Sequence, residues 1–487
     1  MNKNYLKYLF KNYRIGLVFY AVLFLCIAGT PFIGSNNPGG SYSAAVEIML
    51  AMSFAMTFVM PVILFAFVHR RRSADLFLTL PISRKDLLLT NLLFALITVV
   101  GIFCLGSLII WIPAAAYVSF TDVMRMCGAA ILCFTSLILI HSAWYLIANN
   151  IFDGVVMIGA WSAIPLLLYF TISEFTGSMI AGRSGGNLYE ISMSLSPLAM
   201  SVRNLFSIND ITNGGVVPAY FVLILLWGVI GALGVWKHFV RRKSERAEQL
   251  SDDPLAYPLI INFYALFILI AIACAAVSER SFELISIYLS LLFIYVVAQF
   301  VYRRKIRVSV KTLVTFGAMS LAALIFALAA FNTQGFGLAQ RYTIDDNTHL
   351  HISYNAMVYR DDLSRLVARK YPTDGDIVWI NMDLFIPVKD YEADEPLNSV
   401  LEKTRQNGIA YFYSDERGAD INCAIDFNNC DHNRQKYSND YYYALNEAIS
   451  LEDLKVIDSS PFSQITLQTY EDDRTWTLKQ WLERNGN

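Results

Sequence analysis

The stretch HRRRSADLFLTLPISRKD, His69 to Asp86, lies between two apolar runs, 44–68 and 87–112. Each run has the length, about twenty residues, that crosses a bilayer as helix. The segment opens on three arginines, turns oily, breaks at Pro81 and restarts with Arg84 and Lys85. Ser73 is placed to cap a short helix, Ala74 to Leu80 supplies nearly two turns, and Pro81 stops them. Leu76 and Leu80 are four apart and share a face, with Phe77 beside them. Ser83, three residues before Asp86, has the spacing of a capping box that opens the next apolar helix. The reading is a short amphipathic helix on one side of a membrane, flanked by cations. On residues alone it rests either on anionic headgroups or in a groove of another protein.

The rest of the chain supports the membrane setting. Of 487 residues, 55% are hydrophobic, and the mean hydropathy is +0.44, against about 45–50% apolar residues in a soluble chain. The apolar residues gather into nine expected spans: 15–33, 44–68, 87–112, 126–148, 152–172, 216–236, 258–277, 284–301 and 312–331. The net charge of −2 hides a split, because 26 of the 40 acids but only 15 of the 38 bases follow Phe331. The spans carry the basic excess and the tail is acidic.

Lys and Arg set the orientation. With the N-terminus inside, the cytoplasmic segments hold 19 of the bases before Phe331 and the outer loops only Arg125, Arg183, Arg203 and Arg280. Nine spans then put residues 332–487 outside. The N-terminal MNKNYLKYLFKNYR places Tyr5, Leu6, Leu9 and Phe10 on one side and lysines on the other, suiting a helix on the inner membrane surface. The first span is too long for a cleaved signal. Few ionisable residues fall within spans or at their edges: Glu47 near the outer end of the second, His141 in the fourth, and Asp153 and Glu174 flanking the fifth. His141 alone is deep, and its expected role is an imidazole bonded to a neighbouring helix carbonyl. No paired carboxylates, arginine ladder or interrupted repeats mark a proton-coupled carrier, voltage sensor or secondary transporter.

The order of basic residues, short apolar helix, Leu-Pro-Ile-Ser, basic residues and membrane helix resembles the loop after the second span of bacterial ABC-2-type transporter permeases. In that family the loop carries a coupling helix that docks on a separate ATP-binding subunit. The resemblance implies ATPase coupling through Ser73, Leu76, Phe77, Leu80 and Pro81. It covers roughly the first half of the chain: an interfacial helix (1–14) and a six-span core (15–236) with the coupling helix near 73–81. A linker (237–257), three further spans (258–331) and the tail (332–487) depart from the six-span pattern. The chain has no GxxxxGK[ST] sequence, so it holds no P-loop. ATP and Mg are expected on the partner, and no cofactor on this chain.

The fold class expected is a polytopic α-helical membrane protein with a C-terminal α+β extracytoplasmic domain. Residues 348–359 and 376–386 read as strands by alternation, and 396–406, 439–449 and 474–484 as helices. Cys423 and Cys430, the cysteines outside the membrane region, are expected to form a disulfide on the oxidising side. The competing reading is a zinc site from His349, His351 and His432, but no spacing ties these histidines to the cysteines, and no metal is expected. Within residues 332–487 no GxSxG or HExxH motif supports a hydrolase.

The expected function is the permease of an ABC exporter in a bacterial cell membrane, moving a hydrophobic, drug-like, peptide or lipid cargo. Partners are the ATP-binding subunit, a second permease chain in a homo- or heterodimer, and membrane lipid; nucleic acid is not among them. The alternative is a non-transporting sensor or resistance module whose outer domain binds a ligand. A membrane-anchored enzyme is disfavoured because no catalytic constellation stands out.

Overall fold

The computed structural model describes residues 2–28, 38–183, 194–209, 217–249, 251, 253–279, 284–306, 309–341, 349–359, 377–414, 423–430, 437–445, 448–469 and 472–485. The chain forms two compact units. One comprises residues 1–168, 190–264 and 295–308, the other residues 169–189, 265–294 and 309–487.

The helices run in order α1 (Lys3–Asn12), α2 (Arg14–Ala28), α3 (Pro38–Phe65), α4 (Arg71–Leu78) and α5 (Arg84–Leu96). A π turn, Ile97–Gly101, joins α5 to α6 (Ile102–Ala114), followed by α7 (Phe120–Ile147), α8 (Ile151–Met179) and α9 (Pro197–Asn209). Then come α10 (Pro218–Val240), α11 (Tyr257–Glu279), α12 (Leu284–Arg303) and α13 (Val310–Asn332). Among the described residues, eight segments are long and apolar enough to cross a membrane: Tyr42–His69, Arg84–Ala114, Phe120–Ile147, Ile151–Met179, Pro218–Val240, Tyr257–Glu279, Leu284–Arg303 and Val310–Asn332. They match eight of the nine expected spans, the pattern of a multi-pass membrane protein. For the expected span 15–33, α2 covers the part up to Ala28 and the remainder lies outside the described residues. α1 and α2 meet at a 69° bend.

In the first unit α7 is the central helix. Val123, Ala130, Phe134, Leu137 and Tyr145 along it are all fully buried. It meets α10 through three glycines spaced three apart. A Cβ at Gly228 would lie 2.5 Å from Ser136 Oγ, at Gly231 2.7 Å from the Ile140 N, and at Gly234 2.9 Å from Ala143 Cβ. Small residues of this kind let backbones approach closely where lipid supplies no hydrophobic drive between helices. α1 is capped by Asn2, whose side chain accepts from the Asn4 and Tyr5 N–H groups. Its apolar side rests on α5: Tyr5 OH donates to Asn91 Oδ1 (3.2 Å), and Phe10 meets Phe94 edge-on.

The ionisable residues in the spans have structural partners. His141 Nδ1 lies 3.1 Å from Thr57 O, and its ring stacks on Phe58 at 4.0 Å; facing a carbonyl, that nitrogen is the donor. Asp153 accepts from Tyr257 OH (2.7 Å) and Asn150 Nδ2 (2.8 Å), with Arg304 Nη2 at 3.6 Å. Glu174 accepts from Ser178 Oγ at 2.6 Å.

The second unit contains an antiparallel sheet of seven strands in the order β1-β5-β4-β2-β3-β6-β7. These are β1 (Gly182–Arg183), β2 (His349–Tyr359), β3 (Ile377–Pro387), β4 (Cys423–Cys430), β5 (Tyr437–Ala444), β6 (Ser463–Thr469) and β7 (Asp472–Thr477). Three antiparallel strand pairs, β2–β3, β4–β5 and β6–β7, are each followed by helix: α14 (Val388–Ala393) with α15 (Glu395–Phe412), then α16 (Leu451–Asp458), then α17 (Leu478–Asn485). Alternation works as expected: Leu350, Ile352, Tyr354, Ile380, Met382 and Leu384 form one buried face, and Leu401, Leu454, Ile457 and Trp481 of the helices belong to the same core. Two expectations fail. Residues 439–449, expected as helix, begin as strand β5, where Tyr441 and Tyr443 are buried and Tyr442 is exposed. The aromatic run packs better on a half-buried pleat than on a helix. Residues 474–484 are likewise split between β7 and α17.

The expected Cys423–Cys430 disulfide is also corrected. The two residues are the first and last of β4, and a strand of that length separates its ends by about 23 Å. A disulfide spans under about 7 Å between Cα atoms. Cys423 is a buried thiol that donates to Tyr354 OH at 3.3 Å, and burial pushes its pKa up to about 12.

Candidate partner-docking site

The chain leaves α3 through a 3-10 turn, Ala66–His69, and one extended residue, Arg70, before α4 begins. The helix therefore starts three residues earlier than expected. Arg70 occupies the cap position without a side-chain bond, so Ser73 is inside the first turn and caps nothing. The exposed N–H of Arg71 is met instead by Glu248 Oε1, at 3.4 Å from a segment 177 residues away. A carboxylate at that end suits the positive pole of a helix. The helix closes at Thr79, before Pro81, as expected. Ser83 caps α5 by accepting from the Asp86 N–H at 3.0 Å, as its spacing suggests.

The apolar residues of α4 divide. Leu76 is 63% exposed. Phe77 turns inward onto Phe67, ring centroids 4.6 Å apart, and Ala74 is buried. Leu80 is half-buried and Pro81 exposed. Phe77 thus anchors the helix to its own protein, while Leu76 is presented outward.

What holds this platform is Arg242, only 6% exposed. Its Nη1 donates to Leu146 O (2.8 Å) and its Nη2 to Ala148 O (2.9 Å) and Asn149 Oδ1 (3.2 Å). Nη2 also lies 3.4 Å from His69 Nδ1, which accepts because the guanidinium has only donors. Ser251 Oγ donates to Ile147 O at 2.7 Å. The last carbonyls of α7, which no helical N–H reaches, are thereby satisfied. Burial draws the Arg242 guanidinium down to about 10, with Arg246 adding repulsion, and leaves it cationic at neutral pH. Arg84 Nη1 donates to Val240 O (3.1 Å) and Arg242 O (2.9 Å), tying the start of α5 to the end of α10. The two basic segments, 69–86 and 237–254, are therefore one assembly. Neither spacing nor composition signals Arg242, which looks like one more positive-inside cation.

The other sequence candidates belong to the second unit. His349 stacks on Phe385 at 4.7 Å, and His351 Nε2 lies 3.0 Å from Asp383 Oδ1. His432 lies outside the described residues, and among those described no three metal-ligating side chains come together.

The sequence matches no protein-family model, no curated protein and no solved structure.

Proposed function

We propose that this chain is the membrane-spanning permease subunit of an ATP-driven ABC exporter, with α4 as the helix that docks on a separate ATP-binding subunit. The observation that carries the reading is Leu76. An apolar side chain stands exposed on a short helix whose two ends are fixed, one by Glu248 and the other by the inward Phe77. A lipid-surface role would favour Leu76 and Phe77 pointing the same way. ATP and Mg would be held by the partner, and two permease chains, identical or related, would frame one path for a hydrophobic, drug-like, peptide or lipid cargo. The core through about Trp236 would correspond to the six-span pattern, with three added spans and an extracytoplasmic tail.

The test is Leu76→Asp. Burying Leu76 in a partner groove is worth about 1.5–3 kcal/mol, so its loss weakens partner binding about tenfold or more. The variant should reach the membrane in normal amount and fail to retain the ATPase on purification. Arg71→Gln with Arg72→Gln should keep it. Undiminished retention by Leu76→Asp would remove the docking role. The orientation is tested by single cysteines and an impermeant thiol reagent on intact cells. Residues of the tail should label and those of 70–85 should not; the reverse pattern would overturn the assignment.

A sensor reading draws on the other face of the sheet, where Trp379 and Tyr442 are exposed and Tyr442 is in one row with Asp426, Ser353 and Asp383. Cargo movement in vesicles separates the two readings.

A further inference from the structure

Where α7 and α10 end, a polar cavity of about 230 Å³ is lined by Asn149, Lys237, His238, Arg241, Arg242, Arg246, Ser251 and Asp253, with Leu146 and Ile147. Its charge is one-sided. Asp253 is engaged by His238, Nδ1 to Oδ2 3.6 Å. Lys237, Arg241 and Arg246 are exposed and have no acidic partner among the described residues. The two helix C-termini would ordinarily make this place negative, but both are occupied. Arg242 and Ser251 take the carbonyls of α7, and Arg84 takes Val240 O. The buried Arg242 also leaves its Nε without a partner among the described residues. The cavity opens at the last turn of a span-length helix, beside Trp236, which is 43% exposed and carries Lys85 Nζ 5.2 Å over its ring. Exposed Trp at a span end marks the headgroup level.

From this the geometry points to a binding site for a phosphate group, carried by the headgroup of an anionic phospholipid, with Lys237, Arg241 and Arg246 as its ligands above the fixed Arg242. Basic pockets between spans suit such headgroups. The site would sit against the segment that fixes α4, and it stands independently of any transport role.

The experiment uses the full-length protein in nanodiscs of phosphatidylcholine with a minority of phosphatidylglycerol, followed by native mass spectrometry of retained lipid. The wild type should retain phosphatidylglycerol preferentially. Lys237→Gln, Arg241→Gln and Arg246→Gln together should lower that retention by about tenfold or more at unchanged elution volume and melting temperature, since all three side chains are exposed. An equal-charge control, Lys3→Gln, Lys7→Gln and Lys11→Gln, should leave it unchanged. In a second arm, inorganic phosphate is titrated into protein in phosphatidylcholine alone. Phosphate protection lost in the pocket variant, without a phosphatidylglycerol preference, would keep the phosphate site and assign it a soluble carrier. No preference and no phosphate effect, or equal losses in the pocket variant and the control, would overturn the proposal.

Discussion

Gly231→Leu should yield almost no monodisperse protein after detergent extraction, and Gly231→Ala should yield protein with a clearly lowered melting temperature. A Cβ at this position would lie 2.7 Å from Ile140 N and 2.8 Å from Leu139 C, both backbone atoms of α7. Backbone in the middle of a long helix cannot yield, so α10 must move away and uncover the helix at the centre of the core. Overpacking costs about 1–3 kcal/mol for small additions, and the leucine exceeds what local repacking absorbs. Gly159→Ala on α8 is the control, because nothing lies within 4 Å of its Cβ position and alanine gains about 1 kcal/mol in helix propensity. Fluorescence-detected size exclusion with thermal melts reads both. Equal behaviour of Gly231→Ala and Gly159→Ala would contradict the close helix crossing.

Arg242→Met should cost about 2–5 kcal/mol, because Leu146 O and Ala148 O lose their donors and each buried unpaired acceptor costs about 1–3 kcal/mol. Arg242→Lys should recover only part, since one ammonium cannot reproduce the fork that spans both carbonyls and Asn149. Lys243→Met, on an exposed neighbour, should stay within about 0.5 kcal/mol. The loss should also be felt at a distance. Arg84 bonds the carbonyl of residue 242 and Glu248 bonds Arg71 N, so hydrogen exchange over 71–78 should quicken in Arg242→Met and not in Lys243→Met. Unchanged exchange there would separate α4 from the 237–254 segment.

Much of this architecture was legible because the bilayer demands long uninterrupted apolar helices, and such runs stand out in composition. The cap at Ser83 was legible for a local reason, a hydroxyl three residues before a carboxylate. The start of α4 was not, since Glu248, distant in sequence, does what Ser73 was expected to do. Leu76 and Phe77 read as one face, but Phe67 separated them, and no sequence period reports a tertiary ring contact. In the tail, Tyr441 to Tyr443 suited either helix or strand until a neighbouring strand supplied the pleat. The cysteines misled because seven residues make a small loop only if the chain turns, and here it runs straight.

The central claim is tested most directly by purifying the tagged full-length chain from its native membranes in mild detergent and sequencing whatever co-elutes stoichiometrically. The account predicts a second polypeptide that carries GxxxxGK[ST], with ATP hydrolysis in the wild-type complex and none in the fraction from Leu76→Asp. A chain that elutes alone from membranes holding such ATPases, or a stoichiometric partner without a nucleotide-binding motif, would contradict it.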